Sequence, residues 1–338
     1  MIVQSIKKLV EGKDLTEQEA METMNTIMSG EATHAQIGSF LTALRIKGES
    51  IDEIAGCARV MREKADRIRP NVPYYIDTCG TGGDGSNTFN ISTAAAFVAA
   101  AGGVAVAKHG NRSMSSKCGC ADVLEALGIN INLEPHQVEK CIEDINIGFM
   151  FAQTFHKSMK HAAGPRKELG FRTVFNMLGP LTNPAGAKGQ LLGVYDKSLT
   201  EPVANVLLKL GVEKAMVIHG LDGMDEISTT GKTKVSEVKD GHVDTYEIDP
   251  LEYGIERASK ADLEGGNAAE NAQMIKAILN GEKGHKRNIV LINAAAALYV
   301  GKAVEKLQDG VAVATEIIDS KKALNKLLEF CEYTQNIK

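Results

Sequence analysis

The chain has 338 residues, 43% hydrophobic and 24% charged, a composition that excludes a fibrous or intrinsically disordered chain. Its 38 Lys and Arg stand against 43 Asp and Glu, a formal net charge of −5, and with no Trp and 5% aromatic residues it lacks a general electrostatic or stacking grip on nucleic acid. The 33 Gly and 8 Pro point to tight backbone loops rather than Pro-rich linkers.

The opening stretch, MIVQSIKKLVEGKDL, carries basic residues but no apolar run of a secretory kind. The apolar run Thr93–Val106 is Ala- and Gly-rich and too short to span a bilayer. Cys57, Cys79, Cys118, Cys120, Cys141 and Cys331 form no disulfide ladder and no C-x-x-C pair. A reduced, cytoplasmic, soluble protein without membrane or nucleic-acid partners is the expectation.

Residues 1–69 read as a unit of about four helices. Capping-box starts recur at Thr16 with Glu19, Thr33 with Gln36 and Ser50 with Glu53. Gly12, Gly30 and Gly48 fall at left-handed helix stops. Ile37, Phe40, Leu41 and Leu44 trace one face of an amphipathic helix.

At Pro70 and Pro73 the pattern changes to alternating strands and helices. Tyr74–Asp77 is a short strand, then come the Gly-rich Cys79–Asn90, an Ala-rich helix at Ser92–Ala101, a strand at Val104–Lys108 and a helix at Ala121–Leu127. Phe149–Ala152, Leu191–Val194 and Ala215–His219 are further strands, and Val235–Ile248 turns at Asp240-Gly241 as a hairpin. Ala268–Asn280 and Ile289 to the end are helical. The fold class is therefore α/β: a small all-helical domain, 1–69, and a larger α/β domain, 70–338, around a mostly parallel sheet covered on both faces. Part of 164–190 reads as a hinge returning to the helical unit.

Four segments carry chemistry. Asp77 to Thr93 holds Gly80, Gly82, Gly83 and Gly85 among Asp84, Thr88, Asn90 and Ser92, just before a helix. Glycines let a backbone approach a phosphate, and the helix start adds N–H donors and partial positive charge. The dinucleotide reading of Gly80, Gly82 and Gly85 fails, because the acidic residue expected after the next strand is replaced by Lys108. The second segment, Lys108 to Ser116, offers two cations, an amide and three hydroxyls after a strand, which suits a second phosphate-rich group. Alone it would read as a solvated loop; paired with the first it reads as a polyphosphate clamp. Asp222-Gly-Met-Asp225-Glu226 follows a strand and can hold Mg²⁺. In the fourth, His156 to Gly170, Arg166 is placed to pair with a carboxylate, although composition alone equally fits a basic surface helix.

In order and spacing these segments resemble the anthranilate phosphoribosyltransferases. The motifs are Gly80-Thr-Gly-Gly-Asp84, Asn90-Ile-Ser-Thr93, Lys108-His-Gly-Asn-Arg112, Ala121-Asp-Val-Leu-Glu-Ala-Leu-Gly128, Ala162-Ala-Gly-Pro-Arg-Lys-Glu-Leu-Gly170, Asn176-Met-Leu-Gly-Pro-Leu-Thr-Asn-Pro184 and Asp225-Glu226. The resemblance implies a glycosyltransferase family 3 type of fold, with the site in the cleft between domains and a homodimer formed through the helical domain. It implies transfer of phosphoribose from phosphoribosyl pyrophosphate to the amine of anthranilate, the second step of tryptophan biosynthesis.

Carried over, the resemblance gives phosphoribosyl pyrophosphate to Gly80, Gly83, Asp84, Thr88, Asn90, Ile91, Ser92, Thr93, Lys108, His109, Gly110, Asn111, Arg112, Ser113, Met114, Ser115, Ser116 and Cys120. Ser92, Asp225 and Glu226 would ligate two Mg²⁺ ions, and Lys108, Asp225 and Glu226 would carry catalysis. Gly80, Asn111, Arg166 and His156 would contact anthranilate. Cys120 stands where the family often has Ser, and Gln153 and Lys157-Ser158 replace prolines and an Ala beside His156. A pyrimidine-nucleoside phosphorylase would carry a Lys-Met-Ser-Gly-Arg loop in place of Lys108–Arg112, which this chain does not, and a nucleic-acid-binding relative would carry a basic groove, whereas this chain has a net charge of −5 and keeps the Asp225-Glu226 pair.

Overall fold

Each of the first four helices begins where the side chains satisfy its free N–H groups. The computed structural model describes residues 1–113 and 117–337. Helices α1 (Ile2–Val10), α2 (Glu17–Met28), α3 (His34–Lys47) and α4 (Ile51–Lys64) form the amino-terminal unit. Thr16, Thr33 and Ser50 all close reciprocal capping boxes, with Glu19, Gln36 and Glu53. Gly12, Gly30 and Gly48 adopt positive φ just beyond the helix ends. Glu53 is fully buried, accepting the Leu15 N–H at 2.9 Å and pairing with Lys47, and so ties the α1–α2 connection to the unit.

The rest of the chain runs β1 (Tyr75–Gly80), α5 (Ile91–Ala101), β2 (Ala105–Gly110), α6 (Cys120–Leu127), α7 (Pro135–Ile145), β3 (Ile147–Phe151), α8 (Ala152–Phe155), α9 (Lys160–Leu169), α10 (Phe175–Leu181), β4 (Gly189–Gly193), α11 (Thr200–Lys209), β5 (Lys214–Gly220), β6 (Thr233–Lys239), β7 (His242–Ile248), α12 (Ala268–Leu279), α13 (His285–Val300), α14 (Leu307–Asp319) and α15 (Lys322–Asn336). One seven-stranded sheet has the order β3-β2-β1-β4-β5-β6-β7. The first five are parallel, and β6 and β7 close the edge antiparallel, joined through Asp240 and Gly241 at positive φ.

Alternation along the strands separates two cores. Leu191, Met216 and Ile218 face the cluster built with α5, α6 and α12 to α15, whereas Leu192, Ala215 and Val217 face α11 and the helical unit. Helices α9 and α10, from the Gly/Pro-rich stretch, pack on α2, α3 and α4. The chain winds from β1 outward through β2 to β3, then returns to the other side of β1 at β4. Between β1 and β4 the winding reverses, and ligands bind outside the carboxyl ends of strands at such a switch point.

Two strands run further than the sequence suggests. Strand β1 continues through Thr78–Gly80, paired with Leu191–Gly193, and β2 continues past Lys108 through His109–Gly110, paired with Met150–Phe151. Lys108 and His109 are therefore buried strand residues, not members of a polar loop. Among the described residues no helix is long and apolar enough to cross a membrane.

Candidate active site

At the switch point Gly80 and Gly193 are register partners. The loop after β5 crosses both of them. A Cβ on Gly80 would meet the Asp225 carboxylate, and one on Gly193 would run into the Asp225 main chain. Only glycine lets the acidic loop lie this close to the strand ends. Asn293 on α13 sets that loop's height, accepting the Ile227 N–H at 3.0 Å and donating to Ile227 O at 2.9 Å. Asp222, from the same acidic segment, instead builds the loop, accepting from Met224 N–H and the Ser228 hydroxyl.

The Gly-rich loop and the acidic loop are joined directly. Gly82 N–H donates to Asp225 Oδ2 at 2.8 Å, and Asp225 N–H donates to Asp84 Oδ2 at 3.4 Å. Gly82, Gly83 and Gly85 all have positive φ, which lets the loop turn tightly and present the Gly82 amide at this point. At the start of α5, Ser92 N–H donates to Glu226 Oε1 at 3.1 Å. Acidic side chains thus sit on the amides of a loop and of a helix N-terminus, donors that suit anions.

Lys108 ends in the same knot. Its ammonium donates to Thr78 O and lies 3.4 Å from the hydroxyls of Thr78 and Ser92. Removal from water and then the charge of Asp84 raise the Asp225 carboxyl above the usual carboxylate range. Glu226 is raised by its own removal from water, then by Asp225. An oxygen-only set of crowded carboxylates beside the Ser92 hydroxyl is the donor chemistry of a hard divalent cation, so Ser92, Asp225 and Glu226 fit Mg²⁺.

Beneath this knot Asp77 is fully buried in β1, accepting His109 N–H at 3.1 Å and the Asn183 side chain at 2.7 Å. Burial raises its carboxyl. The pair ties β1, β2 and the chain after α10 together. The His109 ring turns away from the Gly-rich loop and faces His156, 5.0 Å between ring centroids. Burial lowers both, His156 to about 4, and each Nε2 is buried without a partner among the described residues. Arg166, on α9, is half-buried over the Phe175 ring at 4.8 Å, and removal from water lowers its pKa. A desolvated guanidinium in this state suits a carboxylate.

Models of protein families match the chain in two pieces. The Glycosyl transferase family helical bundle domain covers residues 3–65 and the a/b domain covers residues 73–324. A protein of Acetivibrio thermocellus named anthranilate phosphoribosyltransferase is 68% identical over 99% of this chain and 97% of its own length. The chain belongs to the anthranilate phosphoribosyltransferase family. The crystal structure of the anthranilate phosphoribosyltransferase of Thermus thermophilus superposes with a TM-score of 0.93 at 44% identity, over 98% of this chain and 99% of that one. The Saccharomyces cerevisiae member, in complex with PRPP and Mg, superposes at 0.91 with 29% identity, over 99% and 98%.

Set against the residues that family membership suggested, the structure brings Gly80, Asp84, Ser92, Lys108, Asp225 and Glu226 into one knot. Thr88 bridges to Glu264, and Asn90 donates to Cys118 O while accepting from Asn271. Ile91 and Thr93 are buried in the first turn of α5. Gly110 packs so closely on the Cys120 thiol and on Phe149 that a side chain there would collide. Asn111 O accepts from Ala121 N–H and the Cys120 thiol, and its side chain turns back to Arg112 N–H. Arg112 itself is held by Asp122 and Glu125, and Ser113 N–H donates to Asp122. Met114, Ser115 and Ser116 lie outside the described residues.

The altered segment beside His156 is tied down by Lys157, which pairs with Asp66 at 2.7 Å. Sequence reasoning missed Thr78, Asn183, Arg172 and Tyr195. Asn183 lies within a family motif, so its position was marked although its partner was not.

Proposed function

We propose that this site transfers the 5-phosphoribosyl group of phosphoribosyl pyrophosphate to the amine of anthranilate, giving N-(5-phosphoribosyl)anthranilate and pyrophosphate. The contact between Gly82 N–H and Asp225 supports it best, since it joins a phosphate-type loop to a cation-type carboxylate at the switch point of the sheet.

In this reading the amides of the Gly-rich loop, the start of α5 and the loop after β2 hold the donor's phosphates. Ser92, Asp225 and Glu226 hold Mg²⁺, two ions per subunit. Bound there, the metal neutralises charge on the pyrophosphate. Lys108 adds a fixed positive charge from a strand, with no reorganisation needed as the bond to the leaving group lengthens. Arg166 takes the anthranilate carboxylate while Asn111, Gly80 and His156 border the ring. The amine then attacks an oxocarbenium-like ribose carbon and sheds its proton afterwards, so positioning does more than a strong base would.

The chain would act as a cytoplasmic enzyme of tryptophan biosynthesis. A homodimer through the helical unit is supported by exposed apolar side chains there: Val10 is 73% and Ile46 81% exposed, and Val3 and Met1 are exposed as well. The deciding experiment follows anthranilate fluorescence after adding phosphoribosyl pyrophosphate with Mg²⁺, then with excess chelator. Loss of fluorescence only with Mg²⁺ is expected; no loss in folded protein rejects the acceptor.

A further inference from the structure

The Gly-rich loop is held on its strand side by Thr81 and Gly82, but its outer arm has a different anchor. Arg172 lies in the link between α9 and α10, and its guanidinium donates to Gly83 O. The same guanidinium stacks on the Tyr195 ring, 4.2 Å from its centroid. Tyr195 in turn donates its main-chain N–H to the Thr81 hydroxyl at 3.0 Å. Its phenol is half-buried, and the charges acting on it come from Arg45 on α3 first, then Arg172, Glu49 and Asp196. Arg172 is therefore clamped between the ring face and the loop carbonyl.

We propose that Arg172 is a positioning residue that holds the outer arm of the Gly-rich loop in its anion-binding shape and couples it to the α9–α10 segment bearing Arg166. This rests on the reaction proposed above for what the loop binds, although not for the contact itself. The arm needs such a hold: Gly82, Gly83 and Gly85 all have positive φ, so this backbone loses much conformational freedom on ordering. A planar guanidinium suits the place, because it can stack and donate at once, whereas an ammonium cannot do both. Arg172 acts through Gly83, whose carbonyl accepts from its guanidinium.

The test compares Arg172→Ala, Arg172→Lys and Tyr195→Leu with the parent chain. Hydrogen exchange is read first, without substrates. Amides of Gly82 to Gly85 should exchange about tenfold faster in Arg172→Ala, as expected for losing one charge-assisted hydrogen bond, with the unfolding midpoint unchanged. Calorimetry with phosphoribosyl pyrophosphate and Mg²⁺ should show about tenfold weaker binding, while KM for anthranilate moves less than threefold. Arg172→Lys should recover less than half of the loss, and Tyr195→Leu should add little to Arg172→Ala. Unchanged exchange and donor affinity overturn the proposal, as does an equal loss for both substrates with a lowered unfolding midpoint. Faster exchange in a protein that never consumes anthranilate would keep the loop anchor and reject the reaction.

Discussion

The Oδ2 atom of Asp225 accepts the Gly82 N–H at 2.8 Å, so one carboxylate both crosses the strand ends and occupies a donor of the Gly-rich loop. Asp225→Asn keeps an acceptor for that N–H but removes the charge a cation needs. We expect kcat to fall about 10²-fold, the size typical for losing one electrostatic stabiliser, with half-maximal activity moved to higher Mg²⁺. Asp225→Ala with Glu226→Ala should leave almost no turnover. Because removal from water and then the neighbouring carboxylates raise both carboxyls, neither change should lower the unfolding midpoint of metal-free protein. An Mg²⁺ titration of activity, repeated after chelation, checks this; unchanged Mg²⁺ dependence rejects the metal assignment.

Gly80 and Gly193 separate function from stability. A methyl on Gly80 presses on the Asp225 side chain, which can swing aside, whereas one on Gly193 presses on its main chain, which cannot. Gly80→Ala is expected to lose most activity with little change in unfolding. Gly193→Ala should lose about 1–3 kcal/mol of stability as an overpacked site. Urea unfolding beside steady-state kinetics on both variants gives the contrast.

Arg166 should discriminate between the two substrates. Its guanidinium is held over Phe175 and raised in energy by burial, so a ligand carboxylate would relieve it. Arg166→Ala should raise KM for anthranilate at least tenfold, roughly the worth of a charge-assisted pair, and leave phosphoribosyl pyrophosphate affinity within about twofold. Arg166→Lys should recover only part, since an ammonium cannot bind a carboxylate with two parallel bonds. Calorimetry for each substrate separately would expose an error in this assignment.

Local signals were enough to read the helical unit: each capping box lies within four residues of sequence, and all three form. The alternating order of strands and helices likewise conveyed a parallel sheet. The strand ends were less legible. Thr78–Gly80 has no strand pattern of its own and is drawn into the sheet by Leu191–Gly193, and the polar His109 joins β2 beyond Lys108 because Met150 pairs with it. The contacts that shape the site come from further still, with Asp77 and Asn183 106 positions apart and Gly83 and Arg172 89 apart. No periodicity encodes such pairs. They follow from topology, which brings β1, β4 and the α9–α10 link to one edge.

The two facing histidines should make the fold acid-sensitive. His156 is buried with no partner for its Nε2 among the described residues, and burial lowers it from its usual value near 6.5 to about 4. The folded state therefore binds this proton less readily than the unfolded chain does. Stability from keeping the ring neutral is complete above the unfolded pKa and is lost as pH falls from about 6.5 toward 4. For this shift the loss is about 2 kcal/mol by pH 5 and about 3 kcal/mol in full. His109, also lowered by burial and then by His156, adds a loss of the same sign. His156→Gln cannot titrate in this range, so its unfolding free energy should change about 2 kcal/mol less than the parent's between pH 7 and pH 5. Urea unfolding of both proteins at pH 7, 6 and 5 measures the difference, and parallel pH dependence would show that His156 is not held neutral by its burial.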